Sequence, residues 1–163
     1  MIAPALALAL VLSFASAGEA RQSTPSLVIT GDVKQQLTLT AKDLAAMPRA
    51  TLSNRNNTIK AAWEGVWLSE ILKKAGVPLG AALRGPALST YIVVSASDGY
   101  QVLFSLGELD PDMTEGRFLV ADTANGTSFV NEGEGFRIVI PDDKHGARSV
   151  RMLTKIEVVQ LRK

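Results

Sequence analysis

The chain has 163 residues and a formal net charge of +1, from 17 Lys and Arg against 16 Asp and Glu. So close a balance argues against general nucleic-acid binding, which needs a large basic excess over many phosphates, and any anion recognition must be local. Cysteine is absent, which removes disulfides, thiolate metal ligands, thiol nucleophiles and redox pairs; with a single histidine besides, a structural zinc site is close to excluded.

The first segment, MIAPALALALVLSFASAGEA, reads as a signal peptide over residues 1–20. An apolar run from Ile2 to Leu12 precedes small residues at Ala15-Ser16-Ala17 and Gly18-Glu19-Ala20, where a signal peptidase cuts. The run is short of the roughly 20 apolar residues that span a bilayer, so cleavage is preferred to anchoring. The expected mature protein is periplasmic or secreted, with no membrane span after cleavage. Residues 21–163 then form a single domain, long enough for a real hydrophobic core.

Leu27-Val28-Ile29 and Leu37-Thr38-Leu39 flank Gly31-Asp32 and read as two short strands. Thr40, with Asp43 three residues on, has the spacing of a capped helical turn that ends before Pro48. The polar stretch SNRNNT is loop. The clearest helix spans Leu68 to Ala75, where Leu68, Ile71, Leu72 and Ala75 recur on one face and Gly76 and Pro78 follow as stops. TYIVVSAS and YQVLFS form a hairpin about Asp98-Gly99, and GRFLVADTANGTSF repeats the arrangement about Asn125-Gly126. GFRIVIP is a compact buried strand, and VRMLTKIEVVQL closes the chain as one longer or two broken strands. The fold class is α+β: mainly β, mixed sheets, mostly antiparallel, with short helices packed on them.

The order of EGVWLSEILKKAG, SASDGYQVLFSLGEL, LVADTANG and GEGFRIVIPDDKHGARSVRMLTKIEV resembles the oxidoreductase molybdopterin-binding domain family, which has the sulfite-oxidase-type fold. The resemblance is to its short stand-alone exported members and covers nearly all of residues 21–163. It implies that the loop holding HGARSVR lies against a pterin cofactor and grips its phosphate. Arg gives a planar fork of donors matched to phosphate oxygens, and Lys a compact charge. The cofactor-binding candidates are therefore Arg148 and Arg151, then Lys144 and His145, with Arg137 at the start of the preceding strand. Molybdopterin is the implied cofactor, a small anionic ligand or pterin the implied guest, and a periplasmic redox protein the implied partner.

Here the chain departs from the pattern of the family it resembles. Active members hold molybdenum through one protein thiolate, and this sequence has none to offer. Cys-ligated molybdenum is not expected, no metal ligand is assigned, and catalytic residues stay unassigned. Ser53 or Asn54 lies nearest the expected ligand position, and Glu134 stands where larger enzymes carry a histidine. The alternative is a degenerate binding or accessory protein that keeps the fold without the metal chemistry; a weaker third reading is a structural domain with no ligand.

Bland readings compete at each site. The basic loop can be a solvated connection offsetting Asp142, Asp143 and Glu157. Ser149, His145 and Asp142 do not read as a hydrolase triad, because they crowd one loop and no G-x-S-x-G elbow exists. Trp63 and Trp67, four residues apart, are expected on one side of the turn entering the helix, as core anchors or the wall of a flat-ligand pocket. Tyr100 is core or pocket lining, and Glu132 and Glu134 read as loop. Asn56-Asn57-Thr58 and Asn125-Gly126-Thr127 match a glycosylation pattern that matters only in a eukaryotic secretory host.

Overall fold

The computed structural model describes residues 24–53 and 61–162, so the expected signal segment and most of the SNRNNT loop, with Asn54 and Asn56-Asn57-Thr58, lie outside the described residues. Among the described residues ten strands form two five-stranded sheets. The first has the order β2-β1-β10-β5-β6, built from β1 (Ser26–Gly31), β2 (Leu37–Thr40), β5 (Thr90–Ala96), β6 (Gln101–Ser105) and β10 (Leu153–Gln160). The β1–β10 pair is parallel and sits inside this sheet, with Val28 opposite Lys155; the other pairs are antiparallel. The second sheet holds β3 (Ala50–Ser53), β4 (Ala62–Trp67), β7 (Leu119–Ala124) and β8 (Thr127–Ser128) in that order, and β9 (Arg137–Val139) also pairs with β7.

The strands follow their alternation. In β5 the buried residues are Thr90, Ile92, Val94 and Ala96, with half-buried ones between them. In β1 Leu27 and Ile29 point inward. Period-two burial of this kind is what a sheet with one packed face requires. Leu68, Ile71 and Leu72 of α2 (Leu68–Lys74) join the same hydrophobic cluster, so a single core runs through both sheets and this helix.

The short helices obey their caps. Thr40 Oγ1 accepts from the Asp43 amide while Asp43 accepts from the Thr40 amide, which starts α1 (Ala41–Ala45) with a reciprocal box. Ser105 and Glu108 repeat it at α3 (Leu106–Leu109). Gly76 takes φ +77 after α2, a left-handed position that suits glycine.

Strand β4 departs from the sequence reading. Its register against β7 shifts between Glu64 and Gly65, a bulge that breaks the alternation. A Cβ on Gly65 would stand 2.0 Å from the Val120 carbonyl oxygen, so only glycine allows the two backbones to approach here. Because of the bulge, Trp63 and Trp67 do not share one environment at the helix entrance: they line two different cavities.

Candidate functional site

Backbone pairing brings the two ends of the basic segment together. The Leu153 amide donates to the Phe136 carbonyl at 2.8 Å, and the Ile138 amide donates to the Val150 carbonyl at 2.9 Å. Phe136 and Ile138 are fully buried, so by strand alternation Arg137 between them faces the other way. Val150 and Leu153 are buried likewise, leaving Arg151 and Met152 outward on the facing segment. The pairing therefore sets Arg137 and Arg151 beside one another. Met152 takes φ +49, a left-handed conformation that methionine rarely adopts, directly after Arg151.

Arg137 and Arg151 line a cavity of about 650 Å³. Trp63 and Phe129 form its aromatic wall, and Glu132 and Glu134 stand at its acidic side. Trp63 and Phe129 meet edge to face, with ring centroids 5.8 Å apart, and the Arg137 guanidinium lies 4.8 Å from the Trp63 ring centroid. Gly133 and Gly135, both at positive φ, turn the NEGEGF loop around this opening.

The cavity holds unspent hydrogen-bonding capacity. Trp63 is 6% exposed, yet its Nε1 has no acceptor, and the buried Nε of Arg137 also lacks one. Native interiors satisfy most buried donors, and both orphans belong to residues that line this one cavity. Burial first, and the charge of Arg151 next, hold the Arg137 guanidinium below its ordinary pKa, while Glu134 acts in the opposite direction. Two like charges facing one recess, with no carboxylate among the described residues bonded to either, is an arrangement that an anion relieves.

Arg148 is placed elsewhere. Its Nε and one terminal nitrogen donate to Asp143 at 2.9 and 2.6 Å, and its other terminal nitrogen donates to Glu108 at 3.0 Å. The group lies 5.3 Å from the Phe104 ring centroid. The hydrogen bonds to Asp143 raise its pKa above the ordinary arginine value, with the one to Glu108 adding to them against the opposing effect of burial. Through Glu108, which caps α3, this arginine ties the loop to the first sheet. Lys144 and His145 are exposed and line neither the aromatic cavity nor the hollow beside Tyr100. Of the five sequence candidates, the structure thus brings together Arg137 and Arg151.

Ser149 is buried and its Oγ accepts from the Ile140 amide at 3.4 Å, a structural role within the loop. Tyr100 lines a second hollow that also touches both cavity arginines. Sequence reasoning set Glu132 and Glu134 aside as loop; their place in the cavity depends on how the two glycines fold that loop back, which no local pattern reports. Trp67 lines a separate recess with Glu70, Asp112 and Phe118.

Comparison with known proteins agrees with the sequence resemblance. The family model described as "Oxidoreductase molybdopterin binding domain" matches residues 16–163. Among solved structures, the sulfane dehydrogenase SoxCD from Paracoccus pantotrophus is similar with a TM-score of 0.61 at 21% identity, over 82% of this chain and 38% of that chain. At that identity the likeness shows the fold, and this chain spans well under half the length of that relative. No curated protein matched. The family match and the structural likeness lead to one conclusion: the chain belongs to the oxidoreductase molybdopterin-binding domain family and has its sulfite-oxidase-type fold.

Proposed function

We propose that this protein is an exported binding member of its family, whose cavity between Arg137 and Arg151 receives a phosphorylated, flat, pterin-like ligand. The carrying observation is an aromatic cavity lined by two arginines to which, among the described residues, no carboxylate is bonded, and in which Trp63 and Arg137 each keep a buried nitrogen without an acceptor. Aromatic walls suit a planar ring and the guanidinium pair suits a phosphate. The apolar run before Ala17 supports export to the periplasm or beyond.

The organic part of the family's cofactor fits this donor set; a thiolate-held metal does not. The chain contains no cysteine, and among the described residues no group of three or more His, Cys, Asp or Glu side chains is placed to hold a metal ion. Ser53 ends β3 and lines none of the cavities described above. Oxygen-atom transfer at Cys-ligated molybdenum is therefore no part of this reading, which favours a binding or accessory role over the enzymatic one, in company with a periplasmic redox partner or alone.

The test is expression in a host that makes and exports the molybdenum cofactor, followed by release of bound pterin and measurement of its fluorescence. Pterin is expected with the wild-type chain and is expected to disappear in the Arg137→Ala, Arg151→Ala double variant. A folded wild-type preparation with no pterin would remove the pterin from this reading.

A further inference from the structure

The arginine pair has a hollow on each side. Besides the aromatic cavity, Arg137 and Arg151 line a second hollow of about 410 Å³ with Asp98, Tyr100, Gly146 and Ala147. The two recesses share both guanidinium groups and differ in everything else that lines them. Positive charge thus stands at the junction of two spaces rather than at the end of one.

Tyr100 gives the second hollow an aromatic surface. Its hydroxyl donates to the Ala147 carbonyl at 2.8 Å and its amide donates to Asp98 Oδ1 at 3.0 Å, so the residue is tied at both ends. Nevertheless it is 48% exposed. A ring fixed by its hydroxyl and left open to solvent is a stacking platform prepared before any guest arrives, with little rotamer entropy left to lose.

We infer that the ligand is two-armed: a dinucleotide whose pyrophosphate bridge sits on Arg137 and Arg151, with one ring in the Trp63 and Phe129 cavity and the other on Tyr100. The bridge carries two negative charges to meet the two arginines that both recesses share. A mononucleotide fills the first cavity and leaves Tyr100 bare. This inference rests on the phosphate-binding reading of the arginine pair and extends it to a second recess.

The test is calorimetric titration of the purified chain with AMP and with diadenosine diphosphate. Stacking of the second base on Tyr100 is expected to make the dinucleotide bind about tenfold more tightly than AMP, the low-to-middle range for one base on one aromatic ring. Tyr100→Ala, at a residue that does not line the first cavity, is expected to bring the affinity ratio of dinucleotide to AMP down to about one. If AMP binds and the dinucleotide gains nothing over it, or if the gain survives Tyr100→Ala, the two-armed inference is overturned and the phosphate site stands. If neither nucleotide binds, and inorganic pyrophosphate does not bind either, both readings are overturned together.

Discussion

Replacing Arg137 by methionine should make the protein more stable, which is unusual for a half-buried residue in a strand. The present side chain holds a buried Nε without an acceptor and faces the charge of Arg151. An unsatisfied buried donor costs about 1–3 kcal/mol. Against that stands the contact with the Trp63 ring at 4.8 Å, worth about 0.5–1 kcal/mol where water reaches the pair. Methionine keeps the unbranched apolar stem on Trp63 and discards the orphan and the repulsion, so a net gain of about 1 kcal/mol is expected. For a domain of this size that raises the unfolding midpoint by about 4 °C. The assay is thermal unfolding by circular dichroism in a buffer free of phosphate and sulfate, because a bound anion would stabilise the wild type selectively. A midpoint that falls by several degrees instead would refute the reasoning, since it would make Arg137 a structural residue with partners of its own.

Arg148→Ala should act in the opposite direction. It strips Asp143, 16% exposed in its side chain, of two hydrogen bonds and Glu108 of one, while the arginine side chain itself is 41% exposed. Solvent screening holds the expected loss to about 1–2 kcal/mol, read from urea unfolding midpoints. Acid should find the same contact. Burial pushes the Glu108 carboxyl up, but hydrogen bonds from the Ser105 amide, Arg148 and the Ser105 hydroxyl outweigh it and hold the pKa below its ordinary 4.5. A carboxylate with a depressed folded pKa stabilises above its unfolded value and loses that contribution as pH falls through the folded one. Wild type should therefore lose more stability than Glu108→Gln on going below about pH 4, measured by urea unfolding at each pH, and equal losses would contradict the assignment. Gly65→Ala should destabilise by about 3 kcal/mol or more, because its Cβ would meet the Val120 carbonyl at 2.0 Å and backbone cannot step aside; a near-neutral unfolding midpoint would show the bulge to be adaptable.

Local chemistry wrote most of the architecture plainly. Both capping boxes, the α2 stop at Gly76, and the hairpins at Asp98-Gly99 and Asn125-Gly126 follow from a few adjacent residues. The parallel β1–β10 pair joins segments at opposite ends of the chain, and no local pattern encodes such a pairing. Strand β4 is hard to read from sequence because it carries a bulge, and a glycine within it blurs the alternation that identifies a strand; β3, only four residues long, offers little alternation to read.

The site was legible as a cluster and illegible as an arrangement. Arg137, Arg148 and Arg151 all stand out in the sequence, yet burial of Phe136, Ile138 and Val150 decides which side each takes. Arg148 meets Asp143, five residues away, and Glu108, forty residues away, and only the fold brings the second of these within reach. The Trp63 indole, whose nitrogen is left over, is separated from Arg137 by more than seventy positions in sequence, and the chain gives no local signal that they meet.

The most direct measurement titrates inorganic pyrophosphate into three folded proteins by calorimetry: wild type, the Arg137→Met, Arg151→Met double variant, and Arg148→Ala. Binding is expected in the wild type and in Arg148→Ala, and none in the double variant. Binding that persists without Arg137 and Arg151 but vanishes with Arg148 would contradict the account, because it would put the anion among the carboxylate-bound residues and leave the aromatic cavity without a function.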